Sequence, residues 1–143
     1  MITDQNYAIA LCTVRVVTGI LFFFQGYDKV FKIGLKEVQR TMETGLGNAK
    51  IPKPLITMVV FFTSWAELIC GFLLILGLFK YYALSLLCID ILVVVFGFSL
   101  SNPMWENNHV FIRLILVVFL LLVPVAWDQY SFDYLVTIFA MNK

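Results

Sequence analysis

Residues 55–100 read LITMVVFFTSWAELICGFLLILGLFKYYALSLLCIDILVVVFGFSL, two long apolar runs that are separated only by Phe79 and Lys80. A helix needs roughly 20 residues to cross a hydrocarbon core of about 30 Å, and residues 55–78 and 81–100 are both long enough. The short separation between them predicts a tight antiparallel hairpin of two membrane-spanning helices.

Two further apolar runs, residues 7–25 and 110–126, flank this hairpin. The 143-residue chain has 62% hydrophobic residues, 13% charged residues and a mean hydropathy of +0.94, which argues against a soluble domain. We therefore predict one all-α membrane domain, residues 1–143, that crosses the lipid bilayer four times as an up-down-up-down helical bundle. A net charge of +1 without a basic patch argues against nucleic acid as a partner.

The long connection between the first two spans has apolar residues at helical spacing and charged residues between them. The apolar positions are Leu35, Val38, Met42 and Leu46. They predict a short amphipathic helix, residues 33–46, lying at the membrane interface. The connection is also rich in basic residues, namely Lys29, Lys32, Lys36, Arg40, Lys50 and Lys53. By the positive-inside rule we expect it to face the cytoplasm; the alternative is that a folded amphipathic loop holds these basic residues for local reasons.

Each predicted span carries one ionisable residue. These residues are Arg15, Glu67, Asp90 and Arg113. The free-energy cost of inserting such a residue at the centre of a membrane helix is about 2.5–3.5 kcal/mol. We therefore expect all four residues to face inward and pair. A rise of about 1.5 Å per residue places the first three in one layer of the bundle, with Arg113 one long side chain away. With two charges of each sign, the predicted cluster is neutral.

Two interpretations of this cluster stay open. The structural one is an interhelical lock that fixes the order of the helices. The functional one is a site for a polar head group, a quinone carbonyl or a proton, because ionisable residues inside a membrane usually mark a functional site.

The first span also carries a stripe of residues at intervals of four, three, four and three. Its members are Arg15, Gly19, Phe22, Gly26 and Lys29. Gly19 and Gly26 favour the close approach of a neighbouring helix. The alternative is that the two glycines leave space beside Arg15 for a ligand.

His109 is the single histidine, and it shares a helix face with Arg113 at the membrane boundary. It is either a proton relay or a solvated interfacial residue. The three cysteines, Cys12, Cys70 and Cys88, do not form a CxxC motif. We therefore predict neither a metal site nor a haem, and no intrinsic cofactor.

The chain continues after the fourth run with the sequence WDQYSFDY, residues 127–134. Ser131 is a suitable N-cap for a short terminal helix that has Asp133 in its first turn. The aromatic residues Trp127, Tyr130 and Tyr134 are typical of a head-group belt. We expect this segment to act as an anchor.

Several short motifs follow one another along the chain. They are Arg15-x3-Gly19-x6-Gly26-x2-Lys29, Trp65-Ala66-Glu67-Leu68-x2-Gly71, Leu76-Gly77-Leu78 and Tyr130-Ser131-Phe132-Asp133. In this order and spacing, over nearly its whole length, the chain resembles the DoxX family of small four-helix membrane proteins. The resemblance implies a role beside membrane redox enzymes. Some relatives resemble subunits of thiosulfate:quinone oxidoreductase or partners of membrane thiol and superoxide systems, and animal relatives include a receptor-assembly chaperone.

Three functional hypotheses follow. The leading one is an accessory subunit of a redox or quinone-linked complex in a prokaryotic cytoplasmic membrane, with a quinone or a lipid bound at the charged cluster. The second is a non-catalytic scaffold or assembly factor that recruits other membrane proteins. Its aromatic contact surface would comprise Phe22, Phe23, Phe24, Phe61 and Phe62. The weakest is a small channel or transporter, and whether the chain is catalytic stays open.

Overall fold

The computed structural model describes residues 4–46, 51–99 and 108–141, which form helices and contain no strand. In chain order the helices are α1 (Asp4–Tyr27), α2 (Leu35–Gly45), α3 (Lys53–Leu76), α4 (Lys80–Ser99), α5 (Asn108–Leu122) and α6 (Phe132–Met141). A π-helical segment, Asp28–Ile33, continues α1, and a 3-10 turn, Val125–Trp127, follows α5. The prediction of an all-α protein is confirmed for these residues.

Three helices are long and apolar enough to cross a membrane: Gln5–Ile33, Lys53–Leu76 and Lys80–Gly97. The apolar helix Val110–Leu122 is shorter. The first of these helices extends eight residues beyond the predicted span of 7–25. It stays helical through polar residues because Lys29 pairs with Glu67 on α3, and because Lys32 pairs with Asp28 one turn before it.

Glycine residues let α1 and α3 approach each other closely. A Cβ atom at Gly19 would lie 2.8 Å from the carbonyl oxygen of Gly71, and one at Gly26 would lie 2.7 Å from Leu68 Cα. Residue numbers fall along α3 as they rise along α1, so the two helices are antiparallel. This contact supports the packing interpretation of the glycine stripe, because backbone atoms occupy the space that a ligand would need.

The remaining contacts join the long helices into one helical core. Helix α3 packs on α4, α4 packs on α5, and α5 contacts α1. Residues at the centre of this core have no more than 1% of their surface exposed, among them Phe22, Leu74, Leu84, Leu87, Val117 and Leu120. The scaffold hypothesis placed Phe22 on an outer contact surface, and this prediction is wrong because Phe22 is buried. Phe24 and Phe61 are exposed, by 55% and 57%.

The turn between α3 and α4 is tight, as predicted. Gly77 has a φ of +71°, which glycine adopts without strain. The N–H of Leu78 donates to the carbonyl of Leu73 (3.0 Å), and the N–H of Gly77 donates to the carbonyl of Leu74 (3.1 Å). These two bonds form a Schellman motif, which ends α3 and reverses the chain within three residues.

Helix α2 lies where the amphipathic helix 33–46 was predicted, and its apolar side packs against the beginning of α3. Leu46, Ile56 and Val60 form a small buried cluster. The partly buried residues packed on this cluster are Leu35, Val38, Met42 and Ile51. Protein therefore covers much of the apolar face that was expected to lie on lipid, and a place at the membrane interface stays a prediction.

Candidate functional site

Buried charged residues lie in two groups along the helical core. We call Arg15, Lys80 and Asp128 the turn cluster, because they lie at the level of the α3–α4 turn. We call Gln25, Lys29, Glu67 and Asp90 the central cluster. Of these seven side chains, only Gln25 and Lys29 have more than 1% of their surface exposed.

Arg15 of α1 is the centre of the turn cluster. Its Nε lies 3.0 Å from Asp128 Oδ2. Nη1 donates to the carbonyls of Leu74 (2.6 Å) and Ile75 (3.0 Å), and Nη2 donates to the carbonyl of Tyr130 (2.8 Å). The carbonyls at the end of a helix carry partial negative charge, so a guanidinium group there is favourable. One side chain thus joins α1, the end of α3 and the segment that follows α5.

Lys80 is the first residue of α4 and completes the turn cluster. Its Nζ lies 3.6 Å from Asp128 Oδ2 and 3.4 Å from the carbonyl oxygen of Val123. Asp128 therefore has two cations within 4 Å, one from α1 and one from α4. A buried charge is tolerated when it is paired in this way.

The beginning of α6 also binds the α3–α4 turn. The carboxylate of Asp133 accepts hydrogen bonds from the backbone N–H groups of Phe79 (2.9 Å) and Lys80 (2.8 Å), while its own N–H donates to the carbonyl of Gly77 (3.0 Å). Ser131 Oγ accepts from the N–H of Tyr134 (3.2 Å). Ser131 is thus the N-cap of α6, as predicted, and Asp133 also caps α4.

Glu67 is the centre of the second cluster. Lys29 Nζ lies 2.7 Å from Oε2 and 2.8 Å from Oε1 of this carboxylate, and Gln25 Nε2 donates to Oε1 (2.7 Å). Glu67 lies 14 residues after Lys53 and nine before Leu76, so it is about 21 Å and about 14 Å from the two ends of α3. The ion pair therefore lies deep in the helical core.

Asp90 on α4 is the second carboxylate of the central cluster. It is 1% exposed, and its Oδ1 has no hydrogen-bond partner among the described residues. Glu67, Lys29 and Arg113 lie within Coulombic range of it. The described residues nevertheless form no salt bridge to Asp90 or Arg113.

The four charges predicted to share one cluster are thus divided. Glu67 and Asp90 are neighbours, with Arg113 in their field, but Arg15 belongs to the turn cluster. Arg15 contacts Leu74, seven residues from Glu67, which corresponds to about 10 Å along α3. The predicted depth of Arg15 in the bundle was counted from the start of the first apolar run. This depth was too large because α1 begins well beyond the end of α3.

Sequence reasoning missed three partners: Asp128, Lys80 and Gln25. The pairing of Asp128 with Lys80 could have been predicted, because the two residues are oppositely charged and each lies beside an apolar run at the same predicted end of the bundle. Gln25 precedes Lys29 by four residues, the spacing that puts two side chains on one helix face. The segment of residues 127–134 was interpreted as an anchor alone, but its Asp128 is fully buried.

Two remaining predictions concern His109 and metal binding. The side chain of His109 lies outside the described residues, so its predicted relay role stays a prediction. Within the described part of the chain, no three histidine, cysteine, aspartate or glutamate side chains are grouped as metal ligands would be.

Comparison with known proteins finds a family match. The DoxX family model matches residues 10–100, which is more than half of the chain. The match covers α1 from residue 10 onward, all of α2 to α4 and all four residues of the central cluster, whereas Asp128 of the turn cluster lies beyond it. No curated protein and no solved structure matches the chain.

Proposed function

Because this chain belongs to the DoxX family of membrane proteins, we propose that it is an accessory integral membrane subunit of a redox or quinone-linked complex. The observation that supports this proposal is the central cluster, an ion pair and a second carboxylate deep inside apolar helices. Charged groups at this depth are costly, and in membrane proteins they usually mark a ligand or ion pathway.

The proposal includes α5 as the fourth membrane span. Its 15 residues extend about 22 Å, which is short for a hydrocarbon core of about 30 Å. Its contacts with both α4 and α1 support a four-helix bundle. We place α2 at the membrane interface, where its polar side faces water and its apolar side covers the beginning of α3.

The central cluster has the donors and acceptors that a polar head group requires. The Lys29 ammonium and the Gln25 amide are hydrogen-bond donors for a quinone carbonyl or a lipid phosphate, and the carboxylates are acceptors. Lys29 has 19% of its side chain exposed, whereas Glu67 has 1%, so a ligand would reach this ion pair from the side of Lys29. A quinone or a lipid bound here would replace part of the Glu67–Lys29 interaction.

Native mass spectrometry of the protein, extracted gently with its lipids, tests this proposal. We expect a bound quinone or lipid in the unaltered chain and its loss in the double variant Lys29→Met/Glu67→Gln. The double variant is preferred because it removes the polar site without leaving a buried charge unpaired. Glu37→Gln/Arg40→Met is the matched control, since it removes an exposed ion pair of α2. A bare protein, both alone and in its complex, would contradict the proposal.

A second candidate function is a scaffold for other membrane proteins, and one observation favours it. An open groove of about 340 Å³ lies between α1 and α3 on the outer surface. Its lining is entirely apolar and comprises Phe23, Tyr27, Phe31, Leu68, Ile69, Phe72 and Leu73. Such a groove suits the apolar side of a partner helix.

Isolation of the tagged protein from native membranes separates the two functions. For the scaffold, we expect a defined partner that is lost in Phe31→Ala/Phe72→Ala and kept in Lys29→Met/Glu67→Gln. For the redox subunit, we expect that both double variants still assemble with the partner. The variant Lys29→Met/Glu67→Gln should then abolish electron transfer in the complex.

A further inference from the structure

Asp90 is the one carboxylate of the central cluster without an ion pair among the described residues. It lies ten residues after Lys80 and nine before Ser99, which places it about 15 Å and about 14 Å from the two ends of α4. Only 1% of its surface is exposed, and its Oδ1 has no partner within the described residues. An acidic group therefore lies at mid-depth in the membrane, and the described residues place no counter-charge at contact distance.

The groups around Asp90 come from three elements. The groups within Coulombic range of Asp90 are Glu67 and Cys70 on α3, Lys29 in the π-helical segment and Arg113 on α5. Lys29 is committed to Glu67, since its ammonium lies within 2.8 Å of both oxygens of that carboxylate. One lysine can pair with one carboxylate, so an ionised Asp90 would have only Arg113 as a counter-charge, and Arg113 makes no ion pair with it among the described residues.

A buried carboxylate has three ways to avoid this cost: a cation from the protein, a metal ion or a proton. Lys29 is already engaged, and Arg113 makes no ion pair with Asp90 in the described residues. The described residues also do not form a three-ligand metal group. A proton is the ligand that needs neither a further side chain nor a cavity.

We propose that Asp90 is a proton-binding site, which holds one exchangeable proton at the centre of the membrane while Glu67 stays ionised beside Lys29. The two carboxylates thereby have different states because their surroundings differ: Glu67 has an ammonium group and an amide donor, and Asp90 has neither. This inference goes beyond the proposed redox role and does not depend on it, since the proton is present with or without a partner complex.

Infrared spectroscopy of the full chain in lipid at neutral pH tests the site. We expect the C=O stretching band of a protonated carboxyl group, which shifts on exchange into D₂O. The band should be lost in Asp90→Asn and kept in Glu37→Gln, which removes an exposed carboxylate of α2. Labelling of aspartate with a heavy carbon isotope should shift the same band in the unaltered chain, so the assignment does not require a variant.

Stability provides the second readout. Asparagine has the shape and the neutral charge of protonated aspartate, so Asp90→Asn should keep the unfolding midpoint of the unaltered protein at neutral pH. Three results would overturn the proposal: no aspartyl C=O band in the unaltered chain, a band that appears only when sodium ions are removed, or an Asp90→Asn protein that does not fold. The second identifies a metal cation as the occupant, and the third identifies an ionised Asp90 that has a counter-ion.

Discussion

The two charge clusters are built from similar residues but are satisfied in different ways. In the turn cluster, every charged side chain has an opposite charge within 4 Å, and Arg15 also bonds three backbone carbonyls. In the central cluster, Glu67 is paired while Asp90 is not paired among the described residues. The difference in ion pairing supports the interpretation that the turn cluster joins helices and the proposal that the central cluster binds a ligand or a proton.

The location of each cluster agrees with this division. The turn cluster joins α1, the end of α3, the start of α4 and the segment after α5, at one end of the helical core. Its partners include backbone groups at helix ends, which need hydrogen bonds in any case. The central cluster lies between helices that satisfy their own backbone groups, so its side chains must find partners among themselves or bind something else.

The largest effect is expected for Arg15→Leu. The variant should lower the free energy of unfolding by about 4 kcal/mol, because three carbonyls lose their donor and Asp128 keeps only the more distant Lys80. Unfolding in a denaturing detergent, followed by circular dichroism, measures the change. Arg40→Leu is the control, since this exposed arginine pairs only with its neighbour Glu37. An Arg15→Leu protein of unchanged stability would show that the turn cluster does not hold the helices together.

A smaller loss, about 3 kcal/mol, is expected for Glu67→Gln, because the Lys29 ammonium remains in the core without a counter-charge. Addition of Lys29→Met should recover most of the lost stability, since no charge of this ion pair is then left unpaired. A double-mutant cycle on the same unfolding measurement gives the coupling between the two residues. If the double variant is no more stable than Glu67→Gln, the ion pair is not what stabilises this region.

The third effect concerns the close contact that positions Lys29. Gly26→Ala should lower the free energy of unfolding by about 2 kcal/mol, because the new Cβ would lie 2.7 Å from the backbone Cα of Leu68, which cannot move aside alone. Gly45→Ala on α2 is the matched control, since a methyl group there would meet no neighbouring element of the described chain within 4 Å. Equal stability of the two variants would contradict the close α1–α3 packing.

The smallest measurable loss, about 1 kcal/mol, is expected for Asp133→Asn. The amide keeps the size of the carboxylate but removes its charge from the N-terminus of α4, where it accepts from two backbone N–H groups. Asp28→Asn, which removes one partner of the exposed Lys32 pair, serves as the comparison. For Asp90→Asn we expect no change in the free energy of unfolding at neutral pH. This result would distinguish the neutral carboxyl group of the central cluster from the ionised carboxylates elsewhere.

Much of the fold was predictable from the sequence because the bilayer imposes a strong constraint. Apolar runs of about 20 residues must be helical in a membrane, since every backbone group needs an internal partner there. The two residues between the second and third runs allow only a tight turn, and Gly77 supplies its conformation. The stripe of Gly19, Gly26 and Lys29 predicted the side of α1 that a neighbouring helix approaches, and in the structure this neighbour is α3.

The pairing of the charges was not predictable in the same way. Depth within a run is counted along one helix, whereas pairing depends on how far two helices are shifted relative to each other. Contact between Gly19 and Gly71 sets this shift, and it moves Arg15 to the end of α3 and Lys29 to the level of Glu67. The π-helical continuation of α1 then carries Lys29 beyond the predicted end of its span.

The amino-acid sequence is therefore sufficient to establish that this is an all-helical membrane protein with charged residues that must avoid lipid. Composition and run length act locally along the chain, so no knowledge of the neighbours is needed for that conclusion. The choice of Asp128 for Arg15 and of Lys29 for Glu67 comes from the tertiary structure, because only the packed backbones bring residues that are 113 and 38 positions apart within 3.0 Å and 2.7 Å of each other.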